Sequence, residues 1–271
     1  MCDHLYLDLV NLNGDEIKND FLRLGGRGFE IEPPPGVFFA NQDAIRIAKD
    51  VTLTPGVVID ASEGPVNIES GAVVMANASL RGPLHIGPGS VIKMGATIYG
   101  ETTIGPVCKI GGEVGETIIQ GYSNKQHEGF VGHSYLGEWT NLGAGTTTSD
   151  MKNNYSTVKV SIDGGSVDSG QMFVGLFMGD HSKSGIGTIF NAGTTVGVSC
   201  NVYGGDYPPK HIPSFAWGGS AAFEEHDIEA ALETARRAME RRGRVFGSRD
   251  EAILKKVFEL TGDERKVFLH K

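Results

Sequence analysis

Cysteine, long apolar runs and positive charge are all scarce in this 271-residue sequence. Its three cysteines, Cys2, Cys108 and Cys200, show no metal-ligand spacing and cannot all pair. Cys108 and Cys200 each stand at a position of the chain that takes small residues, so we expect these two to be reduced core residues. No apolar run approaches the length that crosses a bilayer, and the N-terminus lacks the apolar core of a signal peptide, which predicts a cytoplasmic protein. A formal net charge of -9 argues against binding to nucleic acid or to an anionic membrane.

Glycine, by contrast, is abundant, and the apolar residues follow a period of six. The period is unbroken across Ile68, Val74, Leu80, Ile86, Ile92, Ile98, Ile104 and Ile110. A small residue follows most of them four positions later, at Ala72, Ala78, Ser90, Ala96, Thr102 and Cys108. A helix needs apolar residues three and four apart and a single strand needs them two apart, so this spacing favours a solenoid whose coils are built from flat hexads. An ordinary β-sandwich is the alternative, which so long a run of matches disfavours.

The hexads also divide the chain into three regions. Residues 45–205 are predicted to form the solenoid, with polar excursions near 111–129 and 149–171 where the period is lost. Residues 1–44 are expected to be an N-terminal cap or linker, because an open solenoid end exposes unpaired backbone groups. Residues 206–271 are predicted to form a C-terminal strand and helices. Since loops that leave a rigid scaffold often carry function, we expect the site near the excursions.

Three histidines, His127, His133 and His181, lie in or near the excursions. His133 is the strongest candidate for a general base, because tyrosine and asparagine side chains surround it in sequence and a neutral imidazole can take a proton from an attacking amine. The backbone amides of the glycine-rich turn at 143–145 could stabilise a developing oxyanion.

A family resemblance sharpens this prediction. The hexads resemble those of the hexapeptide acyltransferases, which implies an all-β solenoid, a left-handed parallel β-helix, here with a C-terminal helical appendage. The stretches His133-Ser-Tyr-Leu-Gly137 and Asn141-Leu-Gly-Ala-Gly-Thr146, followed by Asn154-Tyr155 and Lys159, are more specific. They resemble the acetyltransferase half of bifunctional sugar-1-phosphate nucleotidylyltransferase/acetyltransferases, the N-acetylglucosamine-1-phosphate uridyltransferase-like group.

The resemblance implies a role for each matching residue. His133 would be the general base on the amine of an amino sugar phosphate or nucleotide sugar. The substrate-binding residues would be Tyr135, Asn141, Asn154, Tyr155 and Lys159, with the lysine on the phosphate. The residues lining the acetyl-CoA cleft would be Gly143, Ala144, Ser182 and Thr188. Acetyl-CoA is then a co-substrate, no metal is needed, and a homotrimer is expected.

Two other functions stay open. His133 stands two residues before Tyr135, whereas the group has a His-x-x-Tyr spacing, and its nucleotidylyltransferase domain has no counterpart in this sequence. These departures favour a catalytically silent solenoid that trimerises or regulates a nucleotidylyltransferase. A hexapeptide carbonic anhydrase, with His127, His133 and His181 around a metal between subunits, is the third possibility.

Overall fold

The fold was analysed in a computed structural model that describes residues 7–25, 28–162 and 165–270. The chain divides into two compact units, residues 1–135 and 136–271. Cys108 and Cys200 are buried and free, whereas Cys2 lies outside the described residues. No helix in the described ranges is long and apolar enough to span a membrane.

Parallel strands form three faces of a coil in the first unit. The first face contains Gly28–Phe29, Ile45–Ile47, Val66–Ile68, Leu84–Ile86, Thr102–Ile104 and Ile118–Ile119. The second face contains Thr52–Leu53, Val73–Val74, Val91–Ile92, Lys109–Ile110 and Asn124–Lys125. The third face contains Phe38–Ala40, Val58–Asp60, Ser79–Arg81, Thr97–Tyr99, Glu113–Gly115 and Phe130–Gly132.

The six-residue period arises because each hexad supplies one strand and one corner. On the first face, the register aligns Ile47, Ile68, Ile86, Ile104 and Ile119. All five side chains are buried inside the coil. Because side chains alternate along a strand, the neighbouring residues form a second aligned row outside: Arg46, Asn67, His85, Thr103 and Ile118.

The small residue of each hexad lies at a corner of the coil. It either hydrogen-bonds there through its hydroxyl or is small enough to let the chain turn. Ser90 is fully buried, and its Oγ accepts a hydrogen bond from the Cys108 amide at 2.9 Å and donates to the Gly105 carbonyl at 2.7 Å. Ser182 repeats this arrangement in the second unit, with the Cys200 amide at 2.9 Å and the Gly197 carbonyl at 2.6 Å. A corner serine therefore joins its own coil to the next one.

The segment 111–129, where a projecting excursion was expected, instead continues the coil. Its strands Glu113–Gly115, Ile118–Ile119 and Asn124–Lys125 each occupy one face. A shortened turn aligns Ile119 with Ile104 and Lys125 with Ile110. The hexad pattern failed here because the turn changes the period and because a lysine takes the inward position. Lys125 is 2% exposed, and its Nζ donates to the Gly111 and His127 carbonyls at 2.8 and 2.7 Å.

Two helices, Asp8–Asn11 and Asn13–Arg23, precede the coil, and a 3-10 turn spans Gln42–Ala44. The longer helix buries Ile17 and Phe21, and Thr103 Oγ1 donates to Asn13 Oδ1 at 2.7 Å. Because Thr103 belongs to the outward row of the first face, the helix lies against the side of the coil.

The second unit continues the same architecture. Its first face contains Phe177–Met178, Thr195–Val196 and His211–Ile212. On a different face, Thr147–Thr148 pairs with Ile189–Phe190. Its second face contains Asn141–Leu142, Lys183–Ser184, Asn201–Val202, Ala216–Gly218 and, antiparallel, Phe223–Glu225. An antiparallel hairpin, formed by Lys159–Ile162 and Gly165–Asp168, leaves the coil. In chain order it lies after the strand Thr147–Thr148 and before the strand Phe177–Met178. The short strand Tyr135–Leu136 lies at the boundary of the two units.

The C-terminal helices are Ile228–Glu240, Ser248–Leu260 and Gly262–Leu269. Phe215 of the coil packs in one apolar cluster with Leu232 and Leu254 of the first two helices. Arg265 of the third helix is 2% exposed, its Nε donates to Glu225 Oε2 at 2.6 Å, and its guanidinium lies 4.0 Å from the centre of the Phe258 ring. The predicted fold, a left-handed parallel β-helix of hexapeptide repeats with a C-terminal helical appendage, is confirmed.

Candidate functional site

His133 and Tyr135 lie at the end of the last coil of the first unit. His133 adopts a left-handed backbone conformation with φ of 45°, and its amide donates to the Gly115 carbonyl at 3.2 Å. Ser134 between them is buried, and its Oγ donates to the Gly132 carbonyl at 2.7 Å. Both predicted side chains are half-buried, so each retains surface that a substrate can contact.

Asn141 belongs to an outward row on the second face of the second unit. The register aligns Asn141 with Lys183, Lys183 with Asn201, and Asn201 with Trp217. All four are half-buried, which makes the row a partly desolvated strip of hydrogen-bonding groups. Such a strip can hold the hydroxyl and phosphate oxygens of a small ligand.

Lys183 is the charged member of this row, and the sequence analysis missed it together with Asn201 and Trp217. Its Nζ donates to the His181 carbonyl at 2.7 Å, and burial lowers its pKa to about 8. The lysine is therefore mainly charged at neutral pH but titrates close to it. The signal was present, because Lys183 lies between the inward Ser182 and Ser184 and so must point outward.

Gly143 and Ala144 lie at a corner of the same unit. The Gly143 amide donates to the Ser184 carbonyl at 3.1 Å, and the Ala144 carbonyl accepts from the Gly187 amide at 2.8 Å. A Cβ atom on Gly143 would lie 2.5 Å from the Gly185 carbonyl carbon. Glycine is therefore required for coil stacking, and its amide is already engaged rather than available to an oxyanion.

Ser182 and Thr188, the other two residues predicted to line the acetyl-CoA cleft, are fully buried. The Thr188 hydroxyl donates to the Gly185 carbonyl at 3.0 Å, and Ser182 is the corner serine described above. Their side chains thus have no surface with which to line a cleft, because the hexad places small polar residues inside its corners.

The hairpin excursion carries Asn154, Tyr155 and Lys159, all of them exposed. Tyr155 is 67% exposed and has a φ of 59°. Asn154 Oδ1 accepts from the Ser156 amide at 3.1 Å and from Ser156 Oγ at 2.9 Å, so this asparagine also shapes the turn. Lys159 stands opposite Asp168 in the hairpin register.

His181 lies in a second polar cluster, which the sequence analysis did not assemble. A cavity of about 170 Å³ is lined by Glu138, Trp139, Asp180 and His181 from the coil and by residues of the helices, including Asp250. The His181 ring stacks on Trp139 with centroids 6.2 Å apart, and burial lowers its pKa to about 4. Asp180 Oδ1 accepts from the Glu138 amide at 2.8 Å, and burial raises the pKa of both carboxyls. Near neutral pH this cluster therefore presents an uncharged imidazole.

Within the described ranges, no group of three or more His, Cys, Asp and Glu side chains is placed to hold a metal ion. His127 is exposed, and its carbonyl accepts from the buried Lys125.

Comparisons with known proteins place these residues in context. No protein-family model matches the chain. Over 93 residues, 34% of this chain and 23% of its relative, the sequence is 33% identical to a bifunctional sugar-1-phosphate nucleotidylyltransferase/acetyltransferase of Sulfurisphaera tokodaii. Over 118 residues, 44% of this chain and 25% of its relative, it is 31% identical to the bifunctional protein GlmU of Methanocaldococcus jannaschii.

The resemblance predicted from the sequence is confirmed. It fits the acetyltransferase half of these bifunctional proteins, and the chain spans about a quarter of the length of the curated relatives it matches. Among solved structures, the UDP-N-acetylglucosamine acyltransferase of Arabidopsis matches 76% of this chain and 81% of that chain, at 14% identity and a TM-score of 0.40. The corresponding acyltransferase of Bacteroides fragilis matches 85% and 82%, at 17% identity and a TM-score of 0.34. Likenesses this distant add nothing about function.

Proposed function

We propose that this protein transfers an acetyl group from acetyl-CoA to the amine of an amino sugar phosphate or nucleotide sugar. The observation that carries the proposal is the half-buried row of Asn141, Lys183 and Asn201 on one face of the coil. Two amides and one ammonium group in a partly desolvated strip suit the hydroxyl and phosphate oxygens of such an acceptor. The name of one curated relative, a bifunctional sugar-1-phosphate nucleotidylyltransferase/acetyltransferase, supports the same chemistry.

The transfer requires a base, because an ammonium group cannot attack a thioester. His133 takes a proton from the sugar amine as its nitrogen attacks the acetyl carbonyl carbon. The new C–N bond forms, the C–S bond breaks, and the CoA thiolate leaves and takes up a proton. The family resemblance assigns Tyr135 to the sugar. In the second unit, the proposal assigns Asn141 to the sugar and Lys183 to a phosphate.

The excursion supplies the remaining acceptor contacts in this proposal. Tyr155 and Lys159 are exposed and are assigned to the sugar and its phosphate, and Asn154 shapes the turn that carries Tyr155. Acetyl-CoA supplies the activated acyl group, and the family resemblance assigns the corner at Gly143 and Ala144 to its binding. A homotrimer, in which neighbouring subunits share the cleft, belongs to the same proposal.

A catalytically silent solenoid is the second candidate. One observation favours it: His133 is held in a left-handed corner conformation only two residues before Tyr135. The left-handed backbone conformation restricts the directions open to its side chain, and the spacing is one residue shorter than the His-x-x-Tyr of the group. Such a protein would trimerise or regulate a separate nucleotidylyltransferase.

The two candidates are separated by measuring release of free CoA thiol from acetyl-CoA with a panel of amino sugar phosphates. We expect turnover with at least one acceptor, and a loss of at least 100-fold in kcat for His133→Ala. His127→Ala is the matched control, because His127 is exposed and outside the proposed site. If the protein is trimeric but neither binds acetyl-CoA in calorimetry nor turns it over, the transferase function is excluded and the silent solenoid is supported.

A further inference from the structure

A cavity of about 580 Å³ lies in the first unit, between the helix Asn13–Arg23 and the outward row of the first face. Its coil wall includes Asn67, His85 and Thr103, which succeed one another on neighbouring coils. Its volume lies within the range of small-molecule sites, which is about 300–1,000 Å³. None of its lining residues belongs to the proposed acyl-transfer site.

A hydrogen-bond network determines which nitrogen of the His85 ring carries the proton. The Arg46 guanidinium can only donate, and it donates to Asn67 Oδ1 at 2.9 Å. The Asn67 amide nitrogen must then donate, and it lies 2.9 Å from Glu69 Oε1 and 2.9 Å from His85 Nδ1. His85 Nδ1 is therefore the acceptor, and burial lowers the His85 pKa so that the ring is neutral. The proton of the neutral ring stands on Nε2, which becomes a fixed donor.

Three lining side chains keep unused hydrogen-bonding groups. Within the part of the chain that the structure describes, the His85 Nε2–H, the Gln120 amide and the Glu16 carboxylate have no hydrogen-bond partner. Together they offer both donors and acceptors, and Ile17 and Ile118 add apolar surface to the same walls. A ligand with several hydroxyl groups on a carbon ring matches this combination, because each hydroxyl both donates and accepts.

The charges of the cavity select against phosphate. Asp20 is paired with Arg23 at 3.1 Å, and Arg46 is paired with Glu69 at 3.0 Å. The Glu16 carboxylate has no cation within ion-pair distance among the described residues, so the lining keeps an excess negative charge. A phosphorylated ligand would be repelled, whereas a neutral sugar or a sugar amine would not.

We propose that this cavity is a second binding site, for a non-phosphorylated sugar with or without an amine. The site is separate from the proposed acyl-transfer site and takes a different ligand class. The sugar hydroxyls accept from His85 Nε2–H and exchange hydrogen bonds with Gln120, and the Glu16 carboxylate accepts from a hydroxyl or an ammonium group. The proposal does not depend on acyl transfer, since it concerns binding alone.

The test is a calorimetric titration of the full chain with glucose, glucosamine, N-acetylglucosamine and glucosamine 1-phosphate. We expect at least one free sugar to bind. His85→Phe keeps a ring of similar size but removes the donor, and should weaken sugar binding by at least tenfold, about 1.4 kcal/mol. The same variant should leave the affinity for glucosamine 1-phosphate, the proposed ligand of the acyl-transfer site, unchanged. Glu16→Gln should weaken the binding of glucosamine more than that of glucose.

Asp15→Asn is the matched control, because Asp15 lies on the same helix outside the cavity and pairs with Lys18 at 3.1 Å. It should leave every affinity unchanged. If His85→Phe fails to fold, Gln120→Ala makes the same test with a half-buried side chain. Absence of sugar binding by folded wild-type protein, or a sugar affinity unchanged in both variants, would overturn the proposal.

Discussion

Lys125 gives the sharpest test of how the coil is built, because a charged side chain occupies an inward position there. Burial lowers its pKa to about 8, from an ordinary value of 10.5. Since the folded pKa lies below the unfolded one, the unfolded chain binds more protons between these values, and folded stability rises with pH across that window. Between pH 7 and pH 9 this group alone adds about 1.3 kcal/mol to the free energy of unfolding.

Lys125→Met should remove this pH-dependent term while roughly keeping the volume. At pH 7 the variant loses a buried charge whose pKa shift costs on the order of 3 kcal/mol. It also leaves the Gly111 and His127 carbonyls without their donor, at about 1–3 kcal/mol each. These effects oppose each other, so the change in stability with pH is the decisive quantity rather than its value at pH 7.

The assay is urea unfolding of wild type and Lys125→Met at pH 7, 8 and 9, compared as a difference in free energy of unfolding. Other titrating groups, including Lys183, are common to both proteins and cancel in the difference. We expect wild type to gain about 1.3 kcal/mol relative to the variant from pH 7 to pH 9. Lys49→Met, at an exposed lysine, is the control and should run parallel to wild type. A constant difference between wild type and Lys125→Met would refute the inward lysine.

Three further predictions follow from single contacts. Ser90→Ala should lower the free energy of unfolding by about 1–3 kcal/mol in urea denaturation, because the buried Cys108 amide loses its acceptor. Arg265→Lys should lower it by about 2 kcal/mol, since an ammonium group can neither stack on the Phe258 ring nor keep the planar geometry of the guanidinium. If Lys183 binds the acceptor phosphate, calorimetric affinity for glucosamine 1-phosphate should fall between pH 7 and pH 9 as the lysine loses its charge through a pKa of about 8.

Each of these changes has a matched control. Ser79→Ala and Arg249→Lys alter exposed side chains and should leave stability within about 0.5 kcal/mol of wild type. Lys183→Arg keeps its charge at all accessible pH values, so its affinity should stay level where that of wild type declines. Two results would contradict the assigned contacts. One is that the exposed variants lose as much stability as Ser90→Ala and Arg265→Lys. The other is that the affinity of Lys183→Arg for glucosamine 1-phosphate falls with pH as that of wild type does.

The fold could be predicted because Ile68, Ile86 and Ile104 repeat a simple geometric requirement, one inward side chain per hexad. The prediction was wrong for 111–129, since a pattern of aliphatic residues cannot reveal a coil that shortens its turn and buries a lysine. The hydrogen-bond acceptors of Lys125 are backbone carbonyls. Every residue type carries such a carbonyl, so the sequence does not reveal these partners.

Prediction of the site was limited in a different way. His133, Tyr135 and Asn141 were found through a motif, and their roles remain predictions. Lys183 was not predicted because the six-residue period identifies the buried member of each hexad, whereas Lys183 stands beside that member and points outward. The cavity beside His85 was also out of reach, since it depends on where the helix Asn13–Arg23 packs against the coil, which no local pattern determines.

The excursion begins and ends at one place on the coil. The Val174 amide donates to the Asp150 carbonyl at 2.7 Å, and Met151 and Phe173 form a bridge just beyond. These contacts hold the two ends of the excursion together before the hairpin starts. The register of the flanking strands therefore does not depend on the hairpin. Val158 and Val160 of the excursion are buried, whereas residues 153–156 are exposed. The coil can therefore exchange this exposed turn for another of different length or composition at little cost in stability, and so change the surface that a ligand meets.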